Sequence, residues 1–351
     1  MNNIEWLDKP VAKIEQVDID SASDRQNSLT KPSGSLGMLE EVAIRLSAMN
    51  QTDTPNLEKV NIVVFAADHG IAEENVSVFP QAVTAEMVKN FSAGGAAISV
   101  MAKELSAELE VVNVGTVTGL DKMFGVLDQR VAAGTHSFYK QAAMSEDQLV
   151  LAFNAGYDAV QRAKKSSTNL FIAGDMGIAN TSSATAIACA IIGCTAKVIA
   201  GPGTGLSKEG VSHKVDIIQQ SLNKHNLDPQ QPLTILQTVG GFEIAAMTAA
   251  YIACAQNKIP ALVDGFIASA AALVAIKLNP QVKDWLFFAH ASAEPGHKKI
   301  MQAINAKPLI DLNLRLGEAS GAAAVVPLMR MACALHNNMA TFAQADVSNV
   351  N

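Results

Sequence analysis

Six short runs of apolar residues constrain the fold of this chain more than any other feature. The runs are nearly continuous rather than alternating, which is typical of strands buried on both faces of a parallel sheet. They span Val60–Ala67, Leu109–Val114, Leu170–Ala173, Lys197–Ala200, Ile259–Val263 and Trp285–Ala289. We therefore predict a strand for each run and a mostly parallel sheet.

Helical patterns separate the predicted strands. Apolar residues recur at spacings of three, four and seven at Val83, Met87, Phe91, Ile98 and Met101. Further helices are predicted over Ser183–Ile192, Val211–Leu222 and Ile267–Ile276. Strands that alternate with helices predict an α/β fold, in which helices flank the sheet.

The two ends of the chain have a different pattern, because they contain helices without strands. A helical stripe runs from Leu36 to Met49, and Pro327 is placed as the first residue of a helix near the other end. We predict that residues 1–57 and 322–351 together form a small helical subdomain, whereas residues 58–321 form the large α/β domain. The polar segment Asn50–Leu57 is the predicted linker.

Charge and cysteine usage narrow the class of protein. The net charge is −7, which disfavours binding to nucleic acid or to an anionic membrane. The four cysteines have no CxxC spacing and lie in apolar segments, which is typical of reduced cysteines in a hydrophobic core. The chain starts with an acidic segment, and its longest apolar stretch, Gly265–Ile276, is too short to cross a bilayer. These features predict a cytoplasmic protein that binds neither nucleic acid nor membrane.

Glycines and small polar residues follow the predicted strands. Ligands of open α/β sheets bind beyond the carboxyl ends of the strands, so these loops define a trial site. The loops are Asp68–Gly70, Gly115–Thr116, Gly174–Thr181, Gly201–Gly205, Asp264–Gly265 and His290–His297. The best candidate for binding a phosphate is Gly201–Gly205, which precedes the helix that carries Lys214.

One carboxylate, Glu318, lies among glycines and small residues in the segment Arg315–Gly321, just before an apolar run. Loss of solvation there raises the pKa of a carboxylate and makes it a usable proton acceptor near neutral pH. A solvated turn glutamate is the alternative interpretation, and Asp175 could likewise serve only to cap the helix that follows it. The chain lacks GxGxxG, Walker A, GxSxG and HExxH motifs, and its histidines lack metal-ligand spacing.

Taken together, these segments resemble the nicotinate-nucleotide–dimethylbenzimidazole phosphoribosyltransferase family. The resemblance covers about residues 29–342. It is carried by Leu29–Gly37, Ala67–Gly70, Val76–Thr84, Met87–Ala97, Gly174–Thr181, Gly201–Leu206, Val239–Phe242, Val263–Phe266, Ser292–Glu294 and Arg315–Ala322. Each segment alone is a weak signal, but the ordered set is specific.

The resemblance implies a Rossmann-like sheet domain with a small helical domain from the chain ends, and a homodimer. It implies transfer of the 5-phosphoribosyl group of nicotinate mononucleotide to 5,6-dimethylbenzimidazole. The products are nicotinate and α-ribazole 5′-phosphate, the precursor of the cobalamin lower ligand. No strong general acid is required, because the quaternary nitrogen already activates nicotinate as a leaving group. The resemblance also implies that the reaction needs no cofactor and no metal.

The resemblance also assigns roles to individual residues. Glu318 matches the general base, and Asp175 matches a second acidic position where glutamate is usual. The predicted nucleotide-binding residues are Gly177, Gly203, Lys214 and Ser292. The predicted residues around the aromatic base are Phe79, Gln81, Met87, Met176 and Leu316.

The chain departs from the family pattern near these residues. Asp175 is one methylene shorter than glutamate, Pro202 stands where arginine is common, and Ala319 replaces the commoner glycine. The alternatives are therefore a homologue that uses another aromatic base, such as a purine or a phenol, and a non-catalytic partner that binds a nucleotide or a base. A nicotinamide-dependent dehydrogenase is disfavoured by the missing GxGxxG motif.

Overall fold

The computed structural model describes residues 4–348, and its centre is a parallel sheet of six strands. The strands are β1 (Val60–Ala67), β2 (Glu108–Gly115), β3 (Val126–Asp128), β4 (Leu170–Met176), β5 (Ala261–Val263) and β6 (Leu286–Phe288). Their spatial order is β3-β2-β1-β4-β5-β6, which is the order of a Rossmann-like sheet. All eight residues of β1 are buried, so helices cover both faces of the sheet at its centre. The predicted α/β class is confirmed.

Fourteen α-helices occur within residues 4–348. In the first half of the chain they are α1 (Gln16–Ser28), α2 (Met38–Asn50), α3 (Ala82–Ala93), α4 (Ala97–Glu104), α5 (Glu146–Lys165), α6 (Asn180–Ile192) and α7 (Ala196–Ile199). They continue with α8 (Lys208–His225), α9 (Pro232–Val239), α10 (Phe242–Gln256), α11 (Phe266–Leu278), α12 (Pro295–Ala303), α13 (Ser320–Asn338) and α14 (Phe342–Ala345). Short 3₁₀ helices span Glu5–Asp8, Gly70–Glu74 and Pro280–Trp285.

Two predicted elements are wrong. Lys197–Ala200 is not a strand, because Ala196–Ile199 forms the single-turn helix α7, and Val198 is exposed. A run of four residues, three of them apolar, is too short for its periodicity to distinguish a helix from a strand. Pro327 does not begin a helix, because it lies inside α13.

Two other elements differ from the predicted pattern. The helical stripe from Val83 to Met101 is divided into α3 and α4 at Gly94, which adopts a left-handed conformation and ends α3. The edge strand β3 was not predicted, because Val126–Asp128 is short and two of its residues are exposed.

The chain ends pack together as expected. Helix α2 packs against both α1 and α13. Gln26 contacts His336 at 2.8 Å, and the Arg25 side chain donates to the carbonyl groups of His336 and Asn337. The division into 1–57 with 322–351 and 58–321 stays a prediction. Within residues 4–348, no helix is both long and apolar enough to cross a membrane.

Candidate active site

A cavity of about 300 Å³ lies beyond the carboxyl ends of β4, β5 and β6. The loops that follow these three strands line it, together with Gly203, Thr204 and the segment Arg315–Glu318. This is the position at which ligands bind in open α/β sheets. Its size is at the lower end of the range for small-molecule sites.

Most of the predicted site residues meet at this cavity. Its lining includes Glu318, Asp175, Gly177, Gly203, Ser292, Phe79, Met176 and Leu316. Lys214 does not line the cavity, but its ammonium group lies at the wall, where it donates to Thr181 Oγ1 at 2.7 Å. Gln81 and Met87 do not line it. The Gln81 side chain instead donates to the His69 carbonyl at 2.8 Å, and Met87 packs against the core.

Glu318 lies in the turn before α13, and its backbone is in the left-handed region with φ of 64°. The residue is buried, with 5% of its surface exposed. The Ile98 N–H, in the first turn of α4, donates to its carboxylate, whereas Oε2 has no hydrogen-bond partner. Burial raises the pKa of the Glu318 carboxyl above its ordinary value. A buried carboxyl with one unpartnered oxygen can accept a proton from a ligand in the cavity.

Asp175, the penultimate residue of β4, is also buried, and its Oδ2 accepts a hydrogen bond from Asn180 Nδ2 at 2.8 Å. Burial and the negative charges of Asp264 and Glu243 raise the pKa of Asp175 to about 8. Asp175 is therefore protonated at neutral pH. The two carboxyl groups can perform different tasks, because the neutral form of Asp175 donates a hydrogen bond and the ionised form of Glu318 accepts a proton.

The loop Gly177–Asn180 directs the N-terminus of α6 toward the cavity. Ala179 is left-handed with φ of 74°, and the Ile178 N–H donates to Thr84 Oγ1 at 3.1 Å. Lys214 lies beside this turn, and burial lowers the pKa of its ammonium to about 8. A helix N-terminus beside a buried lysine can hold a phosphate group.

The structure adds residues that the sequence did not single out. Asn180, Thr181, Asp264, Phe266, Ile267, His290, Glu294 and Arg315 also line the cavity. Five of the eight belong to the strand-end loops, namely Asn180, Thr181, Asp264, His290 and Glu294, so position after a strand was the available signal for them. Arg315 is fixed by donation from Nη1 to the Gly203 carbonyl at 3.2 Å. Burial raises the pKa of Glu294, although the nearby charges of Lys214 and Arg315 oppose that change.

His69, at the end of β1, is fully buried behind the cavity rather than in it. Its Nε2 lies 2.6 Å from Glu243 Oε1, and its Nδ1 lies 2.9 Å from Ser183 Oγ. These two contacts indicate a structural role for His69. Within residues 4–348, no group of three or more His, Cys, Asp and Glu side chains is arranged to hold a metal ion.

Comparisons with known proteins agree with this architecture. A family model described as phosphoribosyltransferase matches residues 11–347. A nicotinate-nucleotide–dimethylbenzimidazole phosphoribosyltransferase from Pseudomonas putida is 52% identical over 349 residues, covering 99% of both chains. One from Pseudomonas aeruginosa is 53% identical and covers 93% of both chains. The crystal structure of CobT from Thermus thermophilus aligns with a TM-score of 0.91 at 39% identity, covering 95% of this chain and 100% of that one.

Proposed function

This chain belongs to the nicotinate-nucleotide–dimethylbenzimidazole phosphoribosyltransferase family, and we propose that Glu318 is the general base of its reaction. The reaction transfers the 5-phosphoribosyl group of nicotinate mononucleotide to 5,6-dimethylbenzimidazole. Its products are nicotinate and α-ribazole 5′-phosphate, for the lower ligand of cobalamin. The observation that carries the role of Glu318 is its buried carboxyl with the unpartnered Oε2 at the wall of the cavity.

The chemistry needs one proton acceptor. The Glu318 carboxylate takes the proton from a ring nitrogen of the benzimidazole, and the lone pair on that ring then attacks C1′ of the ribose. The bond between C1′ and the nicotinate nitrogen breaks, and its electron pair neutralises that nitrogen. Because nicotinate leaves as a neutral pyridine ring, the leaving group needs no protonation. Positioning of the two substrates supplies most of the remaining rate.

The phosphate of the nucleotide is proposed to lie between the N-terminus of α6 and Gly203, near Ser292. Lys214 supplies the positive charge there, since its Nζ is held at 2.7 Å from Thr181 Oγ1 and 3.4 Å from the Gly201 carbonyl. A charge-assisted hydrogen bond from a buried ammonium is stronger than one between neutral groups. Asp175, kept neutral by its raised pKa, is proposed to donate a hydrogen bond to a substrate oxygen.

The aromatic base is proposed to lie against the apolar side chains of Phe79, Met176 and Leu316. Phe266 and Ile267 extend this apolar wall. Phe79 is 47% exposed, so a planar ring can cover it and gain stacking energy. The same observation favours a second candidate, a transferase of the same mechanism whose preferred substrate is another planar base.

A homodimer in the cytoplasm is part of the proposal. Helices α4 and α13 pack together and carry three exposed apolar side chains, Val100, Leu328 and Met331. These side chains support a dimer surface on the two helices. Four unpaired cysteines support a reducing compartment. Sedimentation of the purified protein tests the oligomeric state, and a monomer at micromolar concentration would remove the dimer from the proposal.

The activity is tested by incubating the purified chain with nicotinate mononucleotide and each of four bases. The bases are dimethylbenzimidazole, benzimidazole, adenine and phenol, and products are identified by mass after chromatography. We expect the ribotide of dimethylbenzimidazole. A faster reaction with another base would favour the second candidate, and nucleotide binding without any product would favour the non-catalytic partner.

A further inference from the structure

The turn that carries Glu318 has an unfavourable backbone conformation. Two consecutive residues that are not glycine, Glu318 and Ala319, have φ angles of 64° and 72°. A left-handed residue with a Cβ atom costs on the order of 1–2 kcal/mol. Such a turn persists only where its surroundings hold it.

Asp264, directly after β5, holds this turn through the backbone. Its Oδ1 accepts the Ala322 N–H at 2.7 Å, the N–H groups of Ala319 and Gly321 also favour its ionised form, and its Oδ2 has no hydrogen-bond partner. The first N–H groups of a helix have no partner within the helix and carry a partial positive charge. One buried carboxyl group thus satisfies an N–H group in the first turn of α13, close to Glu318.

Two neighbouring strands hold the same turn by close packing. Gly174 of β4 lies against the peptide that joins Glu318 to Ala319, since a Cβ at position 174 would lie 2.7 Å from the Ala319 nitrogen. The His290 ring, after β6, packs against Gly321, and its Nε2 lies 3.9 Å from Asp264 Oδ1. Residues at the ends of three adjacent strands therefore contact the turn. Among Gly174, Asp264 and His290, Asp264 is the residue that holds it by hydrogen bonding.

We infer that Asp264 is a positioning residue for the transfer reaction, which fixes the Glu318–Ala319 turn and so places the Glu318 carboxylate at the cavity. The inference deepens the proposed function and rests on it. Asp264 lines the cavity, but its Oδ1 is engaged with the backbone of α13, so its effect on the reaction is exerted through the turn that carries Glu318.

Several groups face Asp264 from the surrounding elements. They are Glu318 before α13, Asp175 at the end of β4, His290 after β6 and Tyr251 on α10, and Glu243 on α10 faces Asp175. Burial raises the pKa of Asp264 to about 7, the backbone N–H groups oppose this, and the charge of Glu318 adds to it. The Glu318 charge thus opposes ionisation of Asp264, so Glu318 loses its proton first and Asp264 ionises after it, near pH 7.

A double-mutant cycle tests whether Asp264 acts through Glu318. Asp264→Asn keeps the shape of the side chain but turns an amide toward the N–H groups of α13. We expect kcat to fall about 10- to 100-fold, the effect of displacing a reacting group by about 1 Å, with little change in KM for nicotinate mononucleotide. In the Glu318→Gln background the same change should lower kcat less than about twofold further. Multiplicative losses, or a rise in KM with kcat unchanged, would overturn the inference.

The pH dependence separates positioning from a merely structural role. In the wild-type protein, kcat/KM rises with pH as Glu318 loses its proton. Ionisation of Asp264 near pH 7 strengthens its hydrogen bonds from the backbone N–H groups, so kcat/KM should rise a second time there, and Asp264→Asn should abolish this second rise. Asp68→Asn is the matched control, because Asp68 is also a buried aspartate after a strand and accepts a backbone N–H, from Val117 at 2.7 Å. The second rise should persist in that control.

If Asp264→Asn does not fold, Ala319→Gly takes its place in the double-mutant cycle. This variant changes the same turn, because glycine removes its left-handed strain. Absence of product from the wild-type protein would reject the proposed function itself. Normal wild-type turnover, with losses of kcat that multiply in the double mutant, would reject only the role of Asp264. A second rise that persists in Asp264→Asn would also contradict it.

Discussion

Two turns that face the cavity have the same backbone plan. In Gly177-Ile178-Ala179-Asn180 and in Gly317-Glu318-Ala319-Ser320, a left-handed alanine immediately precedes a helix. In both turns, the N–H of the first helical residue donates to the glycine carbonyl three positions earlier, at 3.1 Å from Asn180 and 3.0 Å from Ser320. The two turns differ in what satisfies the backbone N–H groups around them.

The N-terminus of α13 is neutralised by the Asp264 carboxylate, whereas around α6 the Ile178 N–H meets the neutral hydroxyl of Thr84. Within residues 4–348, no carboxylate accepts from the backbone of the α6 turn. The α6 turn therefore keeps its attraction for anions, and the adjacent Lys214 adds to it. The α13 turn has lost that attraction and can hold a carboxyl whose pKa is raised. The same backbone conformation thus serves two functions, anion binding at the N-terminus of α6 and proton transfer at the N-terminus of α13.

The largest effect expected from this comparison is in the α13 turn. Glu318→Gln removes the proposed proton acceptor but keeps its size and its hydrogen bond from Ile98. We expect kcat to fall at least ~100-fold, the usual scale for a lost general base, with unchanged affinity for nicotinate mononucleotide. Steady-state kinetics and calorimetric binding measure the two quantities.

Glu294→Gln is the matched control for that variant. Glu294 is the other glutamate of the cavity wall that is buried and has an unpartnered oxygen, but it lies beside Lys214 and Arg315. Its replacement should change KM for the nucleotide and leave kcat within about tenfold. Equal losses of kcat in both variants would end the assignment of proton transfer to the α13 turn.

The second largest effect should come from the α6 side. Lys214→Met removes the buried ammonium but keeps an unbranched apolar chain. We expect KM for nicotinate mononucleotide to rise about 10- to 100-fold, as for loss of a hydrogen bond to a charged group, with a much smaller change in kcat. Lys224→Met on the same helix is the control, because Lys224 is exposed and donates only to the carbonyl groups of Tyr139 and Lys140.

The pH dependence sharpens the same prediction. Burial lowers the pKa of Lys214 to about 8, so its positive charge is lost as pH rises through that value. KM for the nucleotide should therefore increase above about pH 8 in the wild-type protein. The increase should be absent in Lys214→Met. A wild-type KM that is constant to pH 9 would contradict a role for this charge in binding.

The two turns also mark what the sequence could and could not predict. Strand β1 was predicted with its observed bounds, because a long apolar run in a parallel sheet has one interpretation. The start of α13 was missed, since Pro327 was placed at its beginning. The helix starts at Ser320, where Asp264 satisfies its N–H groups across 58 positions of sequence. No local pattern contains a contact of that separation.

Prediction of the candidate site was limited in the same way, by contacts between residues that are distant in sequence. Motifs and resemblance identified Glu318, Asp175 and the glycine loops, which line one cavity. Gln81 and Met87 were assigned to it but lie outside, because their side chains turn to His69 and to the core. Asp264 and His290 were seen only as residues that follow strands. Their hydrogen bonds and packing depend on the order of β4, β5 and β6, which the sequence alone did not specify.

A smaller effect is expected for Asp175, which lies between the two turns. Its pKa of about 8 keeps the carboxyl protonated at neutral pH, and an amide resembles that neutral form. Asp175→Asn should therefore lower kcat/KM by less than about tenfold at pH 7, far less than Glu318→Gln. A loss as large as that of Glu318→Gln would mean that the ionised form of Asp175 is required.

The pH dependence of protein stability provides an independent test of the raised pKa of Asp175. The folded-state pKa of Asp175, about 8, lies above its ordinary value of 3.8, so the folded protein holds this proton more tightly. Its contribution to stability is therefore lost as pH rises from about 4 to about 8. Thermal melts across this range should show a smaller decrease in Asp175→Asn than in the wild-type protein. Some decrease should remain, since the pKa of Asp264 is also raised.

The smallest effects come from the two left-handed alanines. Glycine adopts positive φ without strain, which removes a cost of about 1–2 kcal/mol, but it loses about 0.4–1 kcal/mol through greater freedom of the unfolded chain. Ala179→Gly and Ala319→Gly should therefore each stabilise the protein by about 0 to 1.6 kcal/mol in urea unfolding. Ala319→Gly should also lower kcat about two- to threefold, or roughly 0.5 kcal/mol, because it loosens the turn that places Glu318. Ala179→Gly should leave kcat unchanged, and equal effects of the two variants on kcat would remove the functional difference between the turns.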